Sequence, residues 1–281
     1  MLEIGRLNTL EIISRKPQGL YLDGGRYGEI LIPNQYIPRD VNVGDEIEVF
    51  IYFDSEDRII ATTRKPLVMI GEFAMLRCIS VSTVGAFMDW GLQKDLLVPY
   101  SEQKSKMVKD MHYLVHVHFD EVSKRIVASA KLDKYLDKSP INFKEWDQVD
   151  LIITKETELG YKAIINNTHW GVIYKNEVFK KIEYGQKLKG FVKKIRVDGK
   201  IDLSLEKLGY GKVDPISQEI LDKLNKNEGF IPVTDKSSPE TIAKLFGLSK
   251  KNYKKAVGAL YKQKLIIIEE KGIRLVKEEV R

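Results

Sequence analysis

Three glycines spaced 66 and 75 residues apart each open the same pattern, and that repetition limits what the chain can fold into. Gly19-Leu-Tyr21-Leu-Asp23 leads to Ile30–Pro33, Gly85-Ala-Phe87-Met-Asp89 to Leu96–Pro99, and Gly160-Tyr161-Lys162-Ala-Ile to Gly171–Tyr174. Each stretch is apolar-polar alternation broken by a turn and then resumed, the pattern of a β-hairpin. Each hairpin is followed by a helix-or-loop segment, a long strand-like run, a charged turn and a closing run. Those runs are Val43–Asp54 with Arg58–Thr62, Tyr113–Asp120 with Arg125–Ser129, and Tyr184–Val192 with Lys200–Ser204. Five short strands in a unit of roughly 65 residues predict a small Greek-key barrel that closes its own core.

The pattern changes after a glycine-bearing linker at 207–215. Ile216, Ile220, Leu221 and Leu224 follow a helical period, and Ser238 with Pro239 reads as an N-cap and first turn ahead of Ile242, Leu245 and Phe246. Gly247-Leu248 makes a turn, and Ser249 caps a third helix with Tyr253, Ala256, Val257 and Leu260 on one face. Leu265–Glu270 and Ile273–Val276 then read as a closing hairpin. Three helices and a hairpin look like a winged helix. The predicted fold is mostly β with a C-terminal α/β part: three tandem five-stranded OB-fold barrels over 1–66, 67–136 and 137–212, then a winged helix over 213–281.

The barrel pattern resembles the S1 RNA-binding domain. The middle copy fits best, with Gly85, Phe87, Asp89, Ser101-Glu102, Asp120, Arg125 and Ala128-Ser129. The first copy departs at Pro33-Asn34, where Ser-Glu would follow. The third carries Lys162 in place of the strand aromatic and an irregular Arg196-Val-Asp-Gly turn. Three S1-like units followed by a winged helix resemble the bacterial conserved virulence factor B family. That resemblance is carried by Gly85–Leu92, His169–Tyr174 and Ile242–Ser249 and covers essentially the whole chain. It implies an RNA-binding protein with a regulatory role and no catalysis.

Charge divides along the chain. Residues 1–66 hold 8 Lys/Arg against 11 Asp/Glu, 67–136 hold 9 against 8, 137–212 hold 15 against 11, and 213–281 hold 14 against 10. A polyanion should therefore prefer the second half. The longest aliphatic runs fall far short of the ~18 residues that a membrane span needs. The N-terminus lacks the basic-then-apolar layout of a secretory signal, so a cytoplasmic location is expected. The single cysteine, Cys78, lies in an apolar run and reads as a small buried hydrophobe.

OB-folds hold single strands by stacking bases on exposed aromatics while Lys and Arg follow the phosphates. Copy three supplies both ingredients: Tyr161, His169, Trp170 and Tyr174 lie in the hairpin, with Lys162, Lys175, Lys193, Lys194 and Arg196 close in sequence. It is the leading candidate RNA site. Alternation alone leaves open whether Phe87 is core or platform; the S1 resemblance places it on the ligand strand, with Met88 turned inward. Lys94 is the base nearest to Phe87 in sequence, so weaker binding is expected there. Tyr21, in the acidic first copy, is the weakest of the three. Lys250, Lys251, Lys254 and Lys255 open the third helix and could neutralise phosphates of duplex nucleic acid. Asn252 is the one base-reading side chain nearby, so sequence-specific readout should be weak.

Catalytic readings are poorly supported. His116 and His118 alternate on one strand face, which predicts a solvent-facing pair, and no further ligands with zinc-site spacing appear. Gly24–Gly28 lacks the Gly-Lys-Ser/Thr of a phosphate loop. The expected partner is RNA, single-stranded, with no metal or cofactor. The competing reading is a DNA-binding transcriptional regulator that uses the winged helix, with the barrels as interaction modules. A metal-dependent nuclease would need convergent carboxylates, which spacing cannot establish.

Overall fold

The alternation after Gly19 folds into β2 (Gly19–Asp23) and β3 (Glu29–Pro33), flanked by β1 (Leu7–Lys16), β4 (Glu46–Phe53) and β5 (Ile59–Thr62). The computed structural model describes residues 2–175, 178, 181–206 and 215–276, so all of the linker expected over 207–215 except Pro215 lies outside the described residues. These five strands close in the order β1-β2-β3-β5-β4, with β3 and β5 parallel and the other neighbours antiparallel. The same order recurs in β6 (Phe73–Val81), β7 (Gly85–Asp89), β8 (Leu96–Pro99), β9 (His112–Asp120) and β10 (Arg125–Ser129). It recurs again in β11 (Gln148–Glu156), β12 (Gly160–Ile165), β13 (His169–Tyr174), β14 (Lys187–Ile195) and β15 (Ile201–Ser204). Each barrel is an OB-type Greek key without free sheet edges.

The repeated glycine has one physical cause. A Cβ on Gly19 would lie 1.9 Å from the Ile32 carbonyl oxygen, on Gly85 2.3 Å from that of Val98, and on Gly160 2.0 Å from that of Ile173. No side chain fits where the two hairpin strands approach so closely. A bulge opposite each hairpin also recurs, between Ile12 and Ser14, Cys78 and Ser80, and Ile153 and Lys155. Bulges bend the first strand so that it can pair on both sides of a small barrel.

Leu20, Leu22, Ile30, Ile32, Val49 and Ile51 fill the first barrel, each contributing about 1.5–3 kcal/mol by burial. Cys78 and Met88 are fully buried in the second. The cores are not separate, however. Phe50 and Tyr52 of the first barrel join Met88, Trp90 and Leu96 of the second in one apolar cluster. Trp90 meets Phe50 edge-on at 5.7 Å, and its indole N–H donates to the Lys94 carbonyl. Between the second and third barrels, Phe73, Leu114, Leu132 and Leu136 pack with Ile152 and Ile164, and Trp170 lies against them. Outward-facing strand positions thus become core wherever barrels adjoin.

The C-terminal part has α1 (Pro215–Lys226), β16 (Phe230–Ile231), α2 (Pro239–Phe246), α3 (Lys250–Lys262), β17 (Ile266–Glu269) and β18 (Gly272–Leu275), with sheet order β16-β18-β17. Ser238 Oγ accepts from the Thr241 N–H and Ser249 Oγ from that of Asn252, caps contributing about 1 kcal/mol each. Gly247 ends α2 in the left-handed conformation. Tyr253, Ala256, Val257 and Leu260 bury the inner face of α3 against Ile220, Leu224 and Ile273. The chain divides into two compact units: Met1–Phe143, Val149–Lys189 and Ile195–Asp202 form the first, and Lys144–Gln148, Gly190–Lys194 and Leu203–Arg281 the second.

Candidate nucleic-acid interface

The residue two places after each repeat glycine holds an equivalent position. Tyr21 pairs across to Ser14 and Leu31, Phe87 to Ser80 and Leu97, and Lys162 to Lys155 and Val172. All three point out of their barrels and are half-buried, between inward neighbours such as Leu20 and Leu22 or Ala86 and Met88.

On the third barrel, strand pairing groups Lys162, Trp170, Val172 and Tyr174 on the outer face of the β12–β13 hairpin. Lys162 Nζ lies 3.5 Å above the centre of the Trp170 ring, a cation-π contact. The Arg196 guanidinium reaches both Tyr174 Oη and the Asp202 carboxylate, the latter at 2.9 Å. Lys175 pairs with Glu156 at 3.0 Å. Beside these groups lies an open cavity of about 860 Å³ lined by Lys155, Lys162, Val172 and Lys175 together with Glu156 and Glu158. Two of the expected residues fall elsewhere. Tyr161 pairs with the buried Ile173 and alternates with Lys162, which puts it on the inner set with Ala163 and Ile165. His169 is buried as well, bonded to Thr168 and to the Ser139 carbonyl. On β14, Lys194 is exposed and Lys193 half-buried.

The second barrel's equivalent face is different. Phe87 lines a cavity of about 140 Å³ with Leu97, Trp90 and Ile126, and Tyr52 and Phe53 of the first barrel form the opposite wall. Lys94 donates to the Asp54 carbonyl and lies 3.4 Å from the Asp57 carboxylate. The Arg125 guanidinium also binds Asp57, Nε to Oδ1 at 3.0 Å. This hydrogen bond, together with the nearby Lys94 charge, outweighs desolvation and holds the Asp57 carboxyl below its usual range. Linear spacing around Phe87 had indicated Lys94 alone; Arg125 arrives because β10 runs parallel to β8 at Leu97, and the Asp120-x4-Arg125 motif was its sequence signal. On the first barrel, Lys16 Nζ stands 4.1 Å over the Tyr21 ring and pairs with Glu29 at 2.6 Å.

On α3, Lys251, Lys254 and Lys255 are exposed and Lys250 is half-buried. Lys254 lies 4.0 Å from Asp235, and Lys250 donates to the Lys236 carbonyl. Among the described residues, Lys251 and Lys255 have no ion pair. In the hairpin that follows, Arg274 binds Glu269 and lies over the Phe230 ring.

The expectation of a solvent-facing histidine pair is corrected. His116 is 7% exposed, stacked on Tyr135 at 3.9 Å and beside Phe73 at 4.6 Å. Burial, and secondarily the neighbouring His118, push its pKa down to about 4. His118 is half-buried and within 3.3 Å of the Tyr135 hydroxyl. Alternation correctly put the two on one face, but here that face is covered by the segment leading to the third barrel. Among the described residues, no group of three or more His, Cys, Asp and Glu converges on a point where a metal could sit. No described helix is long and apolar enough to cross a membrane.

Residues 4–64 match the family model of the S1 domain, and residues 218–275 match that of the CvfB-like winged helix domain. Conserved virulence factor B of Staphylococcus aureus (strain USA300) is 28% identical over 293 residues, spanning 98% of this chain and 95% of that protein. The chain is similar to conserved virulence factor B along nearly its whole length. Protein YitL of Bacillus subtilis (strain 168) is 27% identical over 272 residues, 92% of this chain and 89% of the relative. A solved multidomain protein with nucleic acid binding domains from Streptococcus pneumoniae TIGR4 is 24% identical, with 97% and 98% of the two chains covered and a TM-score of 0.47. Both matched models describe nucleic-acid-binding modules, and neither describes a catalytic domain.

Proposed function

We propose that this protein is a cytoplasmic, non-enzymatic RNA-binding regulator of gene expression that holds single-stranded RNA mainly through its third barrel and its winged helix. The observation that carries this reading is the outer face of the β12–β13 hairpin. Trp170 offers a stacking surface there, and Lys155, Lys162 and Lys175 line an open cavity beside it. Stacking on an aromatic contributes about 1–3 kcal/mol per base and tolerates any sequence. Lys194, Arg196 and Tyr174 extend the set of phosphate and sugar contacts in the proposal, and Phe87, Lys94 and Tyr21 are assigned minor roles. Tyr161 remains a candidate only at the barrel's end, because its strand position turns it inward.

Lys251 and Lys255 support a phosphate contact on α3, joined by Lys250 and Lys254. They also favour the second reading, duplex DNA bound by the winged helix. Competition between unlabelled duplex DNA and single-stranded RNA for the intact chain, read by anisotropy of a labelled RNA across a salt series, separates the two. RNA is expected to compete at least ten-fold better, with affinity falling steeply as salt rises. Preferential release by duplex would support the second reading, and degradation of the labelled RNA with added divalent metal would indicate a nuclease.

A further inference from the structure

Asp133 lies just after β10, with its carboxylate 3.6 Å from Lys104 Nζ and 3.5 Å from Lys162 Nζ. Lys104 belongs to the second barrel and Lys162 to the third. Two ammonium groups this close together repel unless an anion lies between them, and Asp133 is that anion. Burial raises the Asp133 pKa, but Lys162 and Lys104 outweigh it and hold the carboxyl below its usual range. The pairing is loose, because charge-assisted hydrogen bonds of this type close to about 2.7–2.9 Å. All three side chains are at least one-third exposed, so the pairs add little stability.

This group borders a cavity of about 280 Å³, lined by Met107, Tyr113, Leu132 and Trp170, with Asp133, Lys104, Lys155 and Lys162 also in its wall. A cavity of about 150 Å³ accommodates a benzene ring, so this one has room for a nucleobase. It shares Lys155 and Lys162 with the open 860 Å³ cavity that extends to Lys175. Three lysines therefore follow one another out of the seam, with Glu156 and Glu158 between them and Lys175 already paired with Glu156. Lys162 is engaged twice, over the Trp170 ring and against Asp133.

We propose that the seam between the second and third barrels is a nucleotide subsite for single-stranded RNA. A phosphate takes the place that Asp133 holds between Lys104 and Lys162, and the base enters the cavity against Trp170. The base displaces Lys162 from the ring face while the lysine keeps its contact with the anion, so the lysine acts as a cover in the free protein and a clamp in the complex. Asp133 is a competitor for the bound strand and sets its affinity. This site rests on the RNA-binding reading above and adds Lys104 and Asp133, neither of which lies in the β12–β13 hairpin.

The test uses the full chain and a fluorescein-labelled single-stranded oligouridylate, with binding read by anisotropy at low and at moderate salt. Asp133→Asn is expected to tighten binding about three- to ten-fold at low salt, with the gain shrinking as salt rises. Lys104→Ala should weaken it about three-fold. Glu121→Gln, the same change of charge in the β9–β10 turn where Glu121 pairs with Lys124, is the control and should stay within two-fold. Circular dichroism melts confirm that each variant is folded. A weaker Asp133→Asn, or a gain no larger than that of Glu121→Gln, overturns the subsite while leaving the RNA-binding reading intact. Absence of binding by the wild-type chain and every variant removes the RNA-binding reading and the subsite together.

Discussion

The two seams that join the barrels use the same ingredients, an aromatic, cations and an acid, to opposite effect. Between the first and second barrels the cavity is small and mostly apolar, and Trp90 is fixed edge-on against Phe50. Asp57 is hydrogen-bonded to Arg125 at 3.0 Å, and Lys94 both lies 3.4 Å from that carboxylate and donates to the Asp54 carbonyl, so both cations are already engaged. Between the second and third barrels the cavity is twice as large, Lys162 lies over the ring of Trp170, and Asp133 contacts its two lysines loosely. One fold repeated three times thus gives a sealed joint and an open one. Acid placement and side-chain size decide which is which.

The largest effect expected from this contrast is on stability. Trp90→Ala removes the ring on which both cores converge and should cost about 3–5 kcal/mol, read as a lowered urea midpoint. Trp170→Ala should cost well under half as much, because one face of that ring is covered by Lys162. Equal losses would mean that the second seam is as structural as the first.

Acid should also loosen the second joint through His116. Its pKa of about 4 in the fold lies below the usual 6.5, so the unfolded chain binds more protons between those values. Stability from this group is complete above pH 6.5, falls as pH drops toward 4, and the total loss is about 3 kcal/mol. Urea midpoints at pH 7.5 and 4.5 measure it. His116→Phe should shrink the difference, and an unchanged pH dependence in that variant would assign the loss to other groups.

The smallest effect is on binding, and it compares the two aromatics directly. Trp170→Ala should weaken single-stranded RNA binding by about 1–2 kcal/mol, roughly five- to thirty-fold. Phe87→Ala should stay within about two-fold, since its cavity is walled by Tyr52 and Phe53 and its cations are occupied. A larger loss at Phe87 would reverse the ranking of the two faces.

Local pattern by itself determined the three barrels, the winged helix and the helix caps. Gly19, Gly85 and Gly160 recur because a hairpin this tight admits no Cβ, and Ser238 and Ser249 are read from adjacent residues because capping is a contact over three positions. It also determined which side chains of one strand share a face, as with His116 and His118. What covers a face was decided only by tertiary structure. His116 was expected in solvent and is buried, Ile164 is outward on its strand yet belongs to a core, and Asp57 and Asp133 meet their cations from 68 and 29 residues away. Strand alternation has a period of two residues and specifies inside against outside of one barrel. It carries no information about the neighbouring barrel, whose docking turned some outward positions into core and left others as a lysine-lined cleft.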